Sequence, residues 1–171
     1  MTNSQSFRAN IAGLIVNKNK EFLMVQLLKA RENEFDFIKG GMEEEENVLD
    51  TLAREFREEI GIGAKYEILR QSYWHLIYEW PEELKKERGF RGQARVSYWI
   101  FYKEGEITIA QNELKAFKWV PEIEMKSTML ESGFVEEHYE MLWLDWNKIK
   151  EENKELFVVQ FGSNIKVLDI L

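Results

Sequence analysis

The chain contains no cysteine. That excludes disulfide scaffolds, thiol catalysis, iron–sulfur clusters and cysteine-type zinc sites. Its two histidines, His75 and His138, are too few for a multi-histidine metal centre. Long hydrophobic runs are missing as well: the apolar stretches, such as Ile11 to Val16, are strand-sized, far short of the roughly 18 residues that span a bilayer. Basic residues are outnumbered, 23 Lys plus Arg against 31 Asp plus Glu, for a net charge of −8. A broad basic face for nucleic acid is therefore not expected, because such binding rests on neutralising phosphates. The stretch from Met1 to Asn10 is polar and has no secretory pattern. The sequence reads as soluble and cytoplasmic, with no membrane partner.

What is present suits one domain over residues 1–171, with a core at about 7–150 and a C-terminal extension at about 153–171. Hydrophobic residues make up 44% of the chain, enough to fill a core at this size. Ile11–Val16 and Phe22–Leu28 are β-type runs, and the polar turn Asn17-Lys18-Asn19-Lys20 between them predicts a hairpin. Lys29 to Asp36 reads as a polar loop. From Asn47 to Ile60 the spacing predicts a helix, with Leu49, Leu52, Ala53, Phe56 and Ile60 as its apolar stripe and Gly61 and Gly63 at its end. Tyr66–Trp80 and Arg95–Tyr102 read as strands separated by a charged helical connection through Glu82–Arg88. Ile107–Ile109 and Phe117–Val120 read as short strands, each of Pro81 and Pro121 as closing a strand. Phe134 to about Lys150 predicts a second helix with Tyr139, Leu142, Trp146 and Ile149 on one face. Leu156–Phe161 and Ile165–Leu171, joined through Gly162-Ser163-Asn164, predict a terminal hairpin. His75, in an aromatic strand, reads as a packed residue. The result is a mixed α/β sandwich.

The chemistry concentrates between Gly40 and Ile62. Glu55, Glu58 and Glu59 fall within about 100° of arc on a helix. Like charges so close repel, and a hard divalent cation reverses that cost because Mg²⁺ and Mn²⁺ prefer carboxylate oxygen. Gly40-Gly41 and the acidic loop after them can bring main chain close to a phosphate or metal. Arg54 can pair bidentately with Glu46 and hold loop against helix. Acidic doublets alone carry no weight in so acidic a chain; the fixed spacing decides. Gly40, Glu46, Arg54, Glu55, Glu58, Glu59 and Gly61, with apolar Phe56 and Ile62, match Gx5Ex7REUxEExGU, U being apolar. From residue usage, a chance match is roughly 10⁻⁸ per starting position.

On these residues the sequence resembles the Nudix hydrolases. The resemblance implies an α/β/α sandwich with a mixed β-sheet, here with an added C-terminal helix and hairpin. It also implies hydrolysis of a phosphoanhydride in a nucleoside diphosphate derivative with Mg²⁺ or Mn²⁺, two or three ions. It assigns metal to Glu55, Glu58 and Glu59, the role of base to one of them as well, and loop–helix orientation to Glu46 and Arg54. Outside the box, Arg8-Ala-Asn10, Phe37-Ile38-Lys39-Gly40-Gly41, Tyr78-Glu-Trp-Pro81, Arg91-Gly-Gln93 and the segment from Glu113 to Val120 are similar to the RNA 5′-pyrophosphohydrolase and diadenosine polyphosphate hydrolase branch. That similarity implies Glu113 as a further metal ligand or base. It implies Lys39, Gly40 and Gly41 at the phosphates, Tyr78 stacking on a base, and Gln93 and Arg95 facing substrate. Arg8, Lys29 and Arg31 read as solvated cations. Four departures stand out: Ile38 replaces a usual proline, Glu45 stands where glycine is common, Phe56 is bulkier than the usual aliphatic, and Val135-Glu136-Glu137 follows Phe134 where the RNA branch usually has a lysine, which tilts the expectation toward the small nucleotide.

The expected function is a metal-dependent pyrophosphohydrolase of a dinucleoside polyphosphate, such as diadenosine tetraphosphate, or of a 5′-triphosphate RNA end. Catalysis is expected from Glu58, Glu59, Glu113 and Arg54. The alternatives are a hydrolase of nucleoside triphosphates or nucleotide sugars, and a nucleotide-binding module without catalysis. The terminal hairpin could pair with a second copy to form a homodimer.

Overall fold

A computed structural model describes residues 6–61 and 63–157. In chain order it contains β1 (Phe7–Val16), β2 (Glu21–Leu27), β3 (Ile38–Gly41), α1 (Val48–Ile60), β4 (Lys65–Glu79), α2 (Glu82–Arg88), β5 (Gly92–Glu104), β6 (Leu114–Pro121), α3 (Met125–Glu131) and α4 (Glu136–Glu152), with 3₁₀ turns at Glu122–Glu124 and Lys154–Leu156. The mixed sheet runs β4-β5-β1-β2-β6, and β3 pairs antiparallel with the middle of β1, from Asn10↔Gly41 to Gly13↔Ile38. β1 and β5 are parallel from Phe7↔Gly92 to Val16↔Phe101.

Strand periodicity of two sorts the core into two layers. Leu14 and Val16, Phe22 and Met24, Trp99 and Phe101 face α3 and α4, where Met125, Met129, Leu142, Trp146 and Ile149 meet them. Ile11 and Ile15, Leu23 and Val25, and Ile100 face α1, against Leu52, Phe56 and Ile60. The result is an α/β/α sandwich with α1 on one side of the sheet and α4 on the other.

A charged tie holds α4 in place. Asp145, 3% exposed, accepts from Arg70 Nη2 (2.7 Å), Ser72 Oγ (2.5 Å), the Tyr73 N–H (2.9 Å) and Trp99 Nε1 (2.8 Å). Its donors in β4 lie in or beside the irregular stretch between Gln71 and His75, where the register with β5 shifts. Burial pushes the Asp145 carboxyl up, but the bonds from Ser72, Arg70, Trp99 and Tyr73 outweigh it and hold the group below its usual range.

Several expectations need correction. The β1–β2 turn forms, with Asn17 Oδ1 accepting from the N–H groups of Asn19 (2.9 Å) and Glu21 (3.1 Å). The two strands, however, pair only at Val16↔Phe22, because β1 turns to β3 and β2 to β6. Leu49 is exposed; the buried face of α1 is Thr51, Leu52, Glu55, Phe56, Glu59 and Ile60, rotated toward the carboxylates. Ile107–Ile109 forms no strand and lies in irregular chain tied to the end of α1. His75 is exposed on the edge strand rather than packed. Helix α3 was not foreseen. Of the expected terminal hairpin, Leu156 closes a 3₁₀ turn, Phe157 packs in the core and the rest lies outside the described residues. Among the described residues, no helix is long and apolar enough to cross a membrane.

Candidate active site

Helix α1 starts at Asn47, whose side chain accepts from the N–H groups of Leu49 and Asp50, with Asp50 returning the contact as a capping box. This fixes the helix phase. One turn apart, Glu55 and Glu59 then face the sheet, and Glu58 stays exposed beside them. Arg54 is the hub. Its Nε and Nη2 grip Glu46 Oε1 (2.7 Å) and Oε2 (3.0 Å), and Nη2 also donates to the Gly41 carbonyl (2.9 Å). Its Nη1 reaches Glu55 Oε1 (2.7 Å) and Glu58 Oε2 (3.1 Å). Hydrogen bonds from Arg54 hold the Glu46 carboxyl down to about 2.

Gly40 is required by packing. A Cβ there would lie 1.7 Å from the Glu55 carboxylate carbon and Oε1. At Gly41 a Cβ would meet the Arg8 guanidinium at 2.1 Å, so Arg8 rests on this strand rather than standing free in solvent. The loop that follows bends through Glu45, which takes a left-handed φ of 69°.

Glu59 is 4% exposed, and its Oε2 is buried without a hydrogen-bond partner. Burial, then the negative charge of Glu55, pushes its carboxyl up to about 8; Lys39 opposes this, and Glu113 and Asp36 add to it. Burial likewise raises Glu55. Glu113 sits in the turn just before β6, exposed, and its charge is felt at both Glu55 and Glu59. Its segment is tied down by the Ala110 N–H on the Glu59 carbonyl (3.2 Å) and the Leu28 N–H on the Glu113 carbonyl (2.8 Å).

A divalent cation suits this place. A buried carboxylate oxygen with no partner, among further carboxylates, is what a hard cation would satisfy. Glu55, Glu58, Glu59 and Glu113 would hold it. Among the described residues no three such groups converge on one point, Glu55 and Glu58 being turned to Arg54.

The second half of the site lies where β3, β4 and β5 meet the Leu28–Asp36 loop. Lys39 Nζ pairs with Asp36, and Asp36 Oδ1 lies 4.0 Å from Arg95 Nη1. Arg95, 5% exposed, donates from Nε to Asn10 Oδ1 (3.0 Å). The Tyr78 hydroxyl donates to Gln93 Oε1 (3.0 Å). Arg95 and Tyr78 line a cavity of about 320 Å³ with Phe35, Asp36, Phe134 and His138. Gln93 is buried behind Tyr78, outside the cavity wall. Lys29 is exposed, and Arg31 pairs with Glu34 at 3.0 Å, away from the carboxylate helix.

Asp36 and His138 were missed from sequence. An acidic residue three positions before Lys39 was the available signal for Asp36; nothing local marked His138.

The family model described as NUDIX domain matches residues 6–144. An RNA pyrophosphohydrolase of Sulfurovum sp. is 33% identical over 127 residues, covering 71% of this chain and 76% of that protein. Another, from Halorhodospira halophila, is 29% identical over 128 residues, covering 70% of each. Among solved structures, an Ap4A hydrolase binary complex from C. elegans superposes with a TM-score of 0.63 at 15% identity, over 85% of this chain and 98% of that one, a likeness of fold.

Proposed function

This chain belongs to the Nudix family as a hydrolase of phosphoanhydrides, and from that premise we propose that it cleaves, with a divalent cation, the polyphosphate chain of a nucleoside 5′-polyphosphate: the 5′-triphosphate end of RNA or a dinucleoside polyphosphate. The observation that carries this reading is the orphaned Oε2 of buried Glu59, beside Glu55 and Glu58 on a helix that Arg54 ties to Glu46 and Gly41.

When bound, a divalent cation would offset the phosphate charge and make water a better nucleophile at neutral pH. Glu55, Glu58, Glu59 and Glu113 would hold it. Arg95 in the cavity wall and Lys39 of β3 share one carboxylate, Asp36, which leaves positive charge beside the cavity for phosphate oxygens. Tyr78, Phe35 and Phe134 offer flat apolar surface to the base. Glu59 or Glu113 takes the proton from the attacking water. This division of labour reconciles a net charge of −8 with an anionic substrate.

The test offers diadenosine tetraphosphate and 5′-triphosphate RNA side by side with Mg²⁺, with Glu58→Gln as control. Cleavage of at least one, lost in the control, is expected. Cleavage surviving in Glu58→Gln, or none of either substrate, would overturn the reading.

A further inference from the structure

The cavity has polar groups in its wall, and most already have a hydrogen-bond partner; Arg95, bonded through Nε, keeps its Nη groups, the charge assigned above to phosphate. Glu34 accepts from the Arg31 N–H (3.2 Å) and Nε (3.0 Å). Asp36 accepts from the Phe37 N–H (2.8 Å) and from Lys39. Tyr78 donates to Gln93, and Arg95 to Asn10. Ser132 Oγ donates to the Thr128 carbonyl (2.7 Å) and accepts from the Phe35 N–H (3.0 Å). His138 differs. It lines the same cavity from the first turn of α4, yet within the described residues its imidazole makes no hydrogen bond or ion pair. Aromatic packing alone seats the ring, edge-on to Phe134 (6.3 Å, 76°) and tilted against Trp74 (6.2 Å, 59°).

We propose that His138 determines which nucleobase the cavity accepts. This rests on the reading of the cavity as the nucleoside end of the site. A planar heterocycle fits between Phe35, Tyr78 and Phe134, whose apolar faces do not distinguish one base from another. Discrimination needs a polar group free to meet the base edge. A neutral imidazole offers one donor and one acceptor, and the four bases differ in the order of donors and acceptors along their edges. A base that pairs with the ring is favoured; one that leaves a polar atom unpaired in the half-enclosed cavity is penalised.

The experiment titrates the 5′-monophosphates of adenosine, guanosine, cytidine and uridine into wild type, His138→Phe and His138→Ala. The phenylalanine keeps the aromatic packing and removes the hydrogen bond; the alanine serves if the larger ring disturbs folding. Wild-type affinities should span roughly fivefold or more between best and worst base, the scale of one hydrogen bond. In the folded variants the span should collapse to within about twofold by the same arithmetic. An unchanged span in the variants, or a wild type with no base preference, overturns the proposal. Monophosphates have no anhydride to cleave, so the titration reads the cavity independently of turnover. Failure of the hydrolase assay alongside a base-dependent titration would therefore reject the proposed function and leave the role of His138 standing.

Discussion

Gly13 in β1 makes room for Phe56 in α1: a Cβ at position 13 would lie 2.7 Å from both Cε1 and Cζ of the phenylalanine ring. Phe56 is 1% exposed and also meets Tyr66 edge-on at 4.8 Å, so the ring has nowhere to retreat. The bulky ring of Phe56 on α1 is thus accommodated by a missing side chain on the strand beneath it. Because α1 carries Glu55 and Glu59 on the same buried face, this contact also sets how far those carboxylates stand from the sheet.

Gly13→Ala should lower stability by about 1–3 kcal/mol, the usual range for overpacking. Phe56→Leu alone should also destabilise by about 1 kcal/mol, through lost burial. Combined, the two changes should cost less than their sum, giving a coupling energy in a double-mutant cycle of urea denaturation. Strict additivity would show that the ring finds another place.

Glu45 sits at φ 69°, a conformation in which an L side chain crowds its own backbone. Glu45→Gly should therefore raise stability by about 0.5–1 kcal/mol, the relief exceeding the added entropy of the unfolded chain. Thermal unfolding reads this directly, and a lower Tm would refute it.

Asp145 gathers donors from Arg70, Ser72, Tyr73 and Trp99 at one buried point. Asp145→Ala leaves the Trp99 N–H and Ser72 hydroxyl buried without that partner, and Arg70 without its buried carboxylate. The expected loss is about 3–5 kcal/mol. Its folded-state value is lowered, so it contributes stability above the unfolded-state value of 3.8, lost as pH falls through the lower folded value. Asp145→Asn should flatten that acid limb of the stability curve, measured by denaturation between pH 2 and 5.

Glu59 has the opposite sign. Its unfolded value is 4.5 and its folded value about 8, so between those limits the folded chain keeps a proton that the unfolded chain has released. Stability is full below pH 4.5 and is lost as pH rises toward 8. In chelator-treated protein, the unfolding free energy should fall by a few kcal/mol across that window, and Glu59→Gln should remove the slope. Added Mg²⁺ should restore stability at pH 8 in the wild type by mass action. A flat wild-type profile would mean that the carboxylate is better solvated than its 4% exposure indicates.

How much of this was legible in the sequence follows the range of the interactions. Arg54, Glu55, Glu58 and Glu59 lie within two helical turns, and their mutual geometry follows from helical spacing alone. The two-faced burial of β1 and β2 follows as directly from their continuous apolar runs. The tie of Asp145 to Ser72 and Trp99 links residues 73 and 46 positions apart, and no local pattern marks it. A single aspartate on a helix otherwise rich in glutamate reads as solvated. The same holds for His138, which meets the cavity only because α4 folds back over β4. Leu49 departs from expectation for a different reason: a stripe through apolar residues alone omits Glu55 and Glu59, which the buried face of α1 includes.

The placement of the Glu55 carboxylate depends on a close backbone approach at Gly40. At Gly40 the added methyl of Gly40→Ala would fall 1.7 Å from the Glu55 carboxylate carbon. The carboxylate must then swing away from β3, giving up its 2.7 Å contact with Arg54 Nη1. Glu55 is on a helix still anchored by Leu52, Phe56 and Ile60 in the core, so the fold should survive. Turnover should drop about 10²-fold, as expected when a positioning contact is lost by an ångström, while the loss in stability should stay near 1–3 kcal/mol. Gly41→Ala serves as the comparison. Its methyl would meet the Arg8 guanidinium, the far end of a flexible side chain that can move aside. The turnover loss should therefore be smaller there. Equal losses in the two variants would show that the glycine pair matters for the strand as a whole rather than for Glu55.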